Sequence, residues 1–141
     1  MAQDSLRHVS LTRTGPASFR ATNVRGGRIE VDAGNGDNFS PVELLLVAMG
    51  ACSGLDVDAL TSRRAEPSTF DVAVQGDKLR DDNGNHMDNI VISFKVSFPE
   101  GPQGDAARAV LPDAVQRSHD RLCTVTRTVI LPTTVSTVVD G

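Results

Sequence analysis

The chain contains two cysteines, and these are the residues best suited to chemistry. Cys52 and Cys123 are far apart in the sequence, so they lack the CxxC spacing of zinc or thioredoxin-like motifs. In a reducing compartment, a pair of thiols is more often catalytic or redox-active than a structural bridge. The alternative is that both are small buried hydrophobic residues. At this level the residues leave both interpretations open.

The periodicity around Cys52 places it in the middle of a predicted helix. Its thiol therefore gains nothing from the helix N-terminus, and lowering its pKa from about 8.5 requires a cation or hydrogen-bond donor from another element. Asp56 lies one turn further along the helix. A nearby ionised carboxylate would raise the thiol pKa, whereas the alternative is that Asp56 faces solvent.

The remaining candidates for chemistry are weaker. His119 lies about one helical turn before Cys123 and could polarise it or orient a substrate, with a plain surface position as the alternative. His8, His86 and His119 are isolated from one another and form no metal-ligand cluster in the sequence. The acidic segment 81–85 lacks EF-hand spacing and is predicted to be a turn. We therefore expect no metal site and no cofactor.

Length and composition exclude several classes of function. A chain of 141 residues predicts a single domain spanning residues 1–141. The net charge of −4 argues against nucleic acid or an anionic membrane as partner, and the chain has no Trp or Tyr on which bases could stack. The longest apolar stretch, residues 44–49, is short of the roughly 20 residues that span a bilayer. The N-terminus lacks a signal-peptide pattern, so a cytoplasmic protein is expected.

The clearest predicted element is the helix that carries Cys52. Ser40 is its predicted N-cap and Glu43 its third residue, which together form a capping box, and the helix is expected to end near Arg64. Its first half is apolar almost all round, so we expect a central, buried helix. Gly50 and Gly54 lie inside the predicted helix and suggest either the close approach of another backbone or a local bend.

The other predicted elements precede and follow this helix in the sequence. Alternating residues predict three strands before it and a β-hairpin after it, followed by two helices separated at Pro112 and a terminal strand from Thr128 onwards. The order is β-β-β-α-β-β-α-α-β, an α+β fold with segregated elements.

Three segments of the chain resemble the OsmC/Ohr family, most closely its OsmC-like branch. The helix SPVELLLVAMGACSGLDV, residues 40–57, is similar to the family's SPxELLLxAxGxCxxxDV helix. Residues 29–32 with the following Gly-Asn-Gly-Asp loop fit the region before that helix, and residues 121–126 occupy the place of the second cysteine motif. The resemblance covers most of the chain, and it implies an OsmC-like fold assembled as an intertwined homodimer.

The resemblance also implies a chemistry for the two thiols. It makes Cys52 the peroxidatic cysteine and Cys123 the resolving cysteine in the reduction of organic hydroperoxides and, in some members, of hydrogen peroxide. An external dithiol would then reduce the resulting disulfide. This assignment requires the two Cα atoms to lie within about 7 Å of each other. It also implies active sites at the subunit interface, with dimerisation through the apolar residues 44–49.

This chain departs from the organic-hydroperoxide branch at named positions. Val42 stands where that branch has its catalytic carboxylate, and Glu43 follows one residue later as a supporting candidate. Thr124 follows the second cysteine in place of the frequent proline. The family's activating arginine comes from the N-terminal strands, where Arg20 is the nearest candidate and Arg13 and Arg28 are the alternatives. The alternative function is a non-catalytic dimeric protein that binds a small molecule or senses redox state.

Overall fold

The computed structural model describes residues 5–140 and contains two compact units, one ending at Leu45 and the other beginning at Leu46. The N-terminal unit contains an antiparallel sheet of β1 (Val9–Gly15), β2 (Ser18–Asn23) and β3 (Arg28–Asp32) in that order. All three strands lie where residue alternation predicts them.

The turn between β2 and β3 is organised by one side chain. Asn23 Oδ1 accepts hydrogen bonds from the backbone N–H groups of Arg25 at 3.0 Å and Gly27 at 2.9 Å. Gly26 has a φ of 89°, a left-handed conformation that favours glycine. The predicted tight turn is confirmed.

The helix α1 (Pro41–Thr61) begins with the predicted capping box. The Ser40 N–H donates to Glu43 Oε1 at 2.9 Å, and the Glu43 N–H donates to Ser40 Oγ at 3.2 Å. These reciprocal bonds satisfy two backbone donors that would otherwise have no partner at a helix start.

The expectation that α1 is buried all round is wrong for a single chain. Its buried residues form a narrow stripe that comprises Met49, Gly50, Ser53, Val57 and Thr61. On the opposite side, Val47 is 46% exposed and Leu55 is 71% exposed. One hairpin and the C-terminal helices of the same unit cover only one face of α1. By length and composition alone α1 could cross a membrane, a property that it shares with core helices of soluble proteins.

A long β-hairpin packs against α1. The strands β4 (Thr69–Asp81) and β5 (Gly84–Ser97) are antiparallel, and the predicted reversal between them is confirmed. An ideal Cβ on Gly50 would lie 2.7 Å from Val74 Cγ2, so the backbone of α1 lies close against β4 at this point. The close neighbour of Gly50 is therefore a side chain of β4, and not the other backbone that the sequence suggested.

The C-terminal part differs from the sequence prediction in two places. The helices predicted on either side of Pro112 are one helix, α2 (Pro102–Arg117), which continues into a π-helical turn, Ser118–Leu122. The predicted terminal strand is wrong, because Thr124–Ile130 form the helix α3 and residues 132–140 have no regular secondary structure.

The helix α3 forms with a side-chain cap although its sequence is rich in strand-forming residues. Its residues are mostly β-branched and favour strands by propensity alone. However, the Cys123 side chain caps the helix, and Thr128 Oγ1 donates to the carbonyl of Thr124 at 2.7 Å. The architecture is therefore a mixed α+β fold with three α-helices and two antiparallel sheets among the described residues.

Candidate thiol site

The structure brings Cys52 and Cys123 together and adds a carboxylate to them. One carboxylate oxygen of Asp56 and the two Sγ atoms all lie within 4.8 Å of one another. Both cysteines are free thiols. The two cysteines predicted as a pair are therefore neighbours, and of the two alternatives for Asp56, a position beside the thiols is the correct one.

Two elements of the C-terminal unit position these groups. Cys52 and Asp56 are four residues apart on α1 and so lie on one face of the helix. Cys123 lies between the π-helical turn and α3, with an extended backbone at φ −72° and ψ 99°. The predicted continuous helix through His119 and Cys123 is therefore wrong, because the chain leaves the helical conformation at Cys123.

Hydrogen bonds to Thr126 orient the buried thiol. The Thr126 N–H donates to Cys123 Sγ at 3.4 Å, and the Cys123 S–H donates to Thr126 Oγ1 at 3.2 Å. Cys123 is fully buried, whereas Cys52 is half-buried. Within one chain, Cys52 is thus the thiol that a dissolved molecule can reach, and Cys123 is the thiol held behind it.

A chain of hydroxyl groups holds the carboxylate. Ser118 Oγ donates to Asp56 Oδ2 at 2.9 Å and lies 3.1 Å from Ser53 Oγ, which is itself buried. The π-helical turn begins at Ser118, so this local departure from the α-helix coincides with the residue that contacts Asp56. Such a wider turn is frequent at functional sites.

The surroundings of Cys52 disfavour its thiolate. Burial is the largest influence and raises the pKa of Cys52 above its ordinary value, while the backbone N–H of Val125 acts in the opposite direction. The neighbouring Cys123 thiol and the Asp56 carboxylate both raise the pKa further. Taken together these groups do not activate Cys52, so its activation depends on a further cation or hydrogen-bond donor.

The other predicted residues have contacts of their own. Arg20 Nε donates to Glu30 Oε1 at 2.6 Å across the β2–β3 pair. The Glu43 carboxylate is engaged in the capping box of α1. His119 Nδ1 lies 3.0 Å from Asp120 Oδ1, and the pair is solvent-exposed.

A mostly apolar cavity of about 460 Å³ lies in the same unit as the thiols. Neither cysteine is among the described residues that line the cavity. Ser53 and Thr126, which belong to the hydrogen-bonded surroundings of the thiol site, do line it. The apolar lining residues are Met49, Met87, Ile90, Ile92, Phe94, Val115, Val129 and Ile130. Asp88, Asn89 and His119 add polar groups to the wall. The cavity thus adjoins the thiol site without containing a sulfur atom.

Reasoning from the sequence missed most of the groups that hold the thiols in place. Ser118 and Asp56 are 62 residues apart, and nothing in their local patterns joins them. Only the i, i+4 spacing of Cys52 and Asp56 gave a usable signal.

Comparisons with known proteins agree with this fold. The sequence model described as "OsmC-like protein" matches residues 34–138. A hypothetical protein from Aquifex aeolicus has a similar structure, with a TM-score of 0.71 and 24% identity over 89% of this chain and 87% of that one. An OsmC-like protein of unknown function from Vibrio cholerae gives a TM-score of 0.74 at 13% identity, covering 89% and 94%.

A more distant structural relative has a name that refers to peroxides. The organic hydroperoxide resistance protein OhrB of Bacillus subtilis aligns with a TM-score of 0.53 and 17% identity, over 87% of this chain and 90% of that one. No match to a curated protein was found at a significant level. The family match spans most of the chain and includes both thiols and Asp56, and the chain therefore belongs to the OsmC-like family.

Proposed function

We propose that this protein reduces organic hydroperoxides with its two thiols. The observation that carries the proposal is the cluster of Cys52 Sγ and Cys123 Sγ within 4.8 Å beside the Asp56 carboxylate. The half-buried Cys52 is the peroxidatic residue, and the fully buried Cys123 is the resolving residue. Membership of a family with peroxide-resistance relatives supports the same assignment.

The reaction proceeds in three balanced steps. The Cys52 thiolate attacks the O–O bond of the hydroperoxide, gains one oxygen as a sulfenic acid, and releases an alkoxide that takes up a proton as the alcohol. Cys123 then attacks the sulfenic sulfur, forming a disulfide and releasing water. An external dithiol reduces that disulfide by thiol exchange and is itself oxidised. Hydrogen peroxide follows the same steps, with water in place of the alcohol.

Activation of Cys52 is assigned to Arg20 in this proposal, with Glu43 as a supporting carboxylate. The near surroundings of Cys52 raise its pKa, so a positive charge from another element must stabilise the thiolate. A guanidinium stays charged when buried, and its planar donors suit both a thiolate and a peroxide oxygen. We place this chemistry in a cytoplasmic homodimer with the active sites at the subunit interface.

Turnover with a dithiol tests the function. Purified protein is given cumene hydroperoxide and either dithiothreitol or dihydrolipoamide, and peroxide loss is followed. We expect many turnovers per chain, none in Cys52→Ser, and no more than one in Cys123→Ser, in which sulfenic acid is trapped by dimedone. A wild-type rate equal to that of Cys52→Ser overturns the proposal.

The cavity favours a second candidate, binding of a small apolar molecule without turnover. Its volume of about 460 Å³ suits a small ligand, and its lining lacks a reactive sulfur. The test is saturable binding of an apolar probe, which Ile92→Glu should abolish. If the protein binds the probe in this way and consumes no hydroperoxide, the binding function is favoured over peroxide reduction.

A further inference from the structure

We propose that the reduced Cys52 and Cys123 thiols together with Asp56 form a binding site for one zinc ion, and that hydroperoxide oxidation of the thiols empties it. Zinc binding does not depend on the proposed function. Only the release of zinc by hydroperoxide rests on that function. The site would act as a redox-sensitive block: zinc occupies the thiols until an oxidant removes them as ligands.

The geometry of the three ligand atoms is close to that of a zinc site. Zinc bonds are about 2.3 Å to sulfur and about 2.0–2.2 Å to carboxylate oxygen, which in a tetrahedron sets neighbouring ligand atoms about 3.5–3.8 Å apart. The two sulfurs and the Asp56 oxygen lie within 4.8 Å of one another, so a contraction of at most about 1.3 Å suffices. A disulfide requires a larger movement, to about 2.05 Å between the sulfurs.

The ligands are held by their neighbours in a way that suits a metal. Metal-binding carboxylates are usually oriented by hydrogen bonds from outer groups. Ser118 Oγ donates to Asp56 Oδ2 at 2.9 Å, and Ser53 Oγ lies 3.1 Å from Ser118 Oγ. A carboxylate accepts several hydrogen bonds, so Asp56 retains acceptor capacity for a cation. Thr126 fixes the buried sulfur of Cys123.

The donor set selects the kind of ion. Two thiolates favour zinc over magnesium or calcium, which prefer oxygen ligands. Binding displaces the two thiol protons to the solvent, so the site carries three negative charges against two positive ones. Three protein ligands leave a fourth position for water, as in zinc sites that are not closed.

Oxidation removes the ligands in a balanced step. One hydroperoxide and two protons convert the two thiolates into a disulfide, an alcohol and water, and the zinc ion leaves unchanged. A disulfide sulfur has lost its thiolate charge, so Asp56 alone is left to hold the ion, and a single carboxylate binds zinc poorly.

Metal titration of the reduced, metal-free protein tests the site. Zinc is titrated against a chromophoric chelator, and Co²⁺ serves as a spectroscopic probe. We expect one zinc per chain, thiolate-to-cobalt absorption in the near ultraviolet, and affinity weaker by about tenfold or more in Asp56→Asn. Asp58→Asn, an exposed carboxylate on the same helix, is the matched control and should bind zinc as the wild type does.

Different results would contradict the zinc site, the role of Asp56 and the release of zinc. A cobalt spectrum without thiolate absorption in the wild-type protein overturns the site without recourse to any variant. Equal zinc affinity in Asp56→Asn and Asp58→Asn removes Asp56 from it. One equivalent of cumene hydroperoxide should then release one zinc per chain. If zinc binds through the thiols but hydroperoxide leaves it bound, the release fails while the zinc site stands, and peroxide reduction is decided separately by turnover of the metal-free protein.

Discussion

Cys52 and Cys123 have different surroundings, and this difference supports different roles. Cys52 is accessible, but burial and the nearby Asp56 carboxylate raise the pKa of its thiol. Cys123 is buried and hydrogen-bonded through its sulfur to Thr126. The reactivity of the pair therefore depends on how readily Cys52 loses its proton.

Replacing Asp56 with asparagine should lower the pKa of Cys52. The ionised carboxylate disfavours a second negative charge nearby, so its removal makes the thiolate easier to form. The measurement is the pH dependence of Cys52 alkylation by iodoacetamide in metal-free Cys123→Ser protein. Asp58→Asn should leave the profile unchanged, and an equal profile for both variants contradicts the role given to Asp56.

Replacing Arg20 with methionine should raise the pKa of Cys52 if Arg20 activates it. Lowering a thiol pKa by about two units requires about 2.7 kcal/mol of preferential thiolate stabilisation, which one charged hydrogen bond can supply. The same alkylation profile measures the effect, with Arg80→Met, which replaces an exposed arginine on β4, as control. If Cys52 titrates at or above the ordinary cysteine range both with and without Arg20, Arg20 is not the activator and the binding function is favoured.

At the scale of elements, α1, the helix that contains Cys52, packs against β4. Gly50 lies where an added Cβ would come within 2.7 Å of Val74, whereas a Cβ on Gly54 would meet Val72 at an ordinary 3.5 Å. A Cβ therefore has no room at Gly50 but fits at Gly54, although both glycines lie on α1.

Alanine substitutions should separate these two positions. Gly50→Ala should destabilise the fold by about 1–3 kcal/mol, because a branched, packed side chain must shift. Gly54→Ala should be neutral or stabilising by up to about 1 kcal/mol, because alanine is the better helix former and the space exists. Urea unfolding measures both. Equal losses of free energy would show that α1 does not pack on β4 as described.

Elements with local signals could be predicted from the sequence. The Ser40–Glu43 capping box and the glycine-containing hairpin turn are set by residues a few positions apart, and both are present. The helix α3 could not be predicted, because its β-branched residues favour a strand and its cap is a cysteine sulfur. The Ser118–Asp56 bond depends on tertiary packing, so no local pattern could have indicated it.

At the scale of the whole molecule, α1 presents an exposed apolar surface. Val47 and Leu55 are exposed and lie two turns apart, with the exposed Ala51 between them, so they form one apolar stripe. An obligate homodimer interface commonly buries more than about 2,000 Å² in total and is more hydrophobic than transient ones. The stripe is consistent with the proposed homodimer.

A charge on this stripe should dissociate the dimer. Leu55→Glu places a carboxylate at the C-terminal end of the apolar stripe, on its most exposed large residue, and the sedimenting species should shift from a dimer toward a monomer. Leu55→Met keeps the surface apolar and should sediment as the wild type does. A wild-type protein that sediments as a monomer at every concentration rules out dimerisation.

The count of free thiols after a single oxidation tests the central claim most directly. Fully reduced, metal-free protein has two free thiols per chain, Cys52 and Cys123. One equivalent of cumene hydroperoxide should reduce this count to zero, with a Cys52–Cys123 disulfide identified by peptide mass spectrometry, and a dithiol should restore both thiols. If two thiols per chain remain after hydroperoxide, the pair is not the peroxide-reducing centre of this protein.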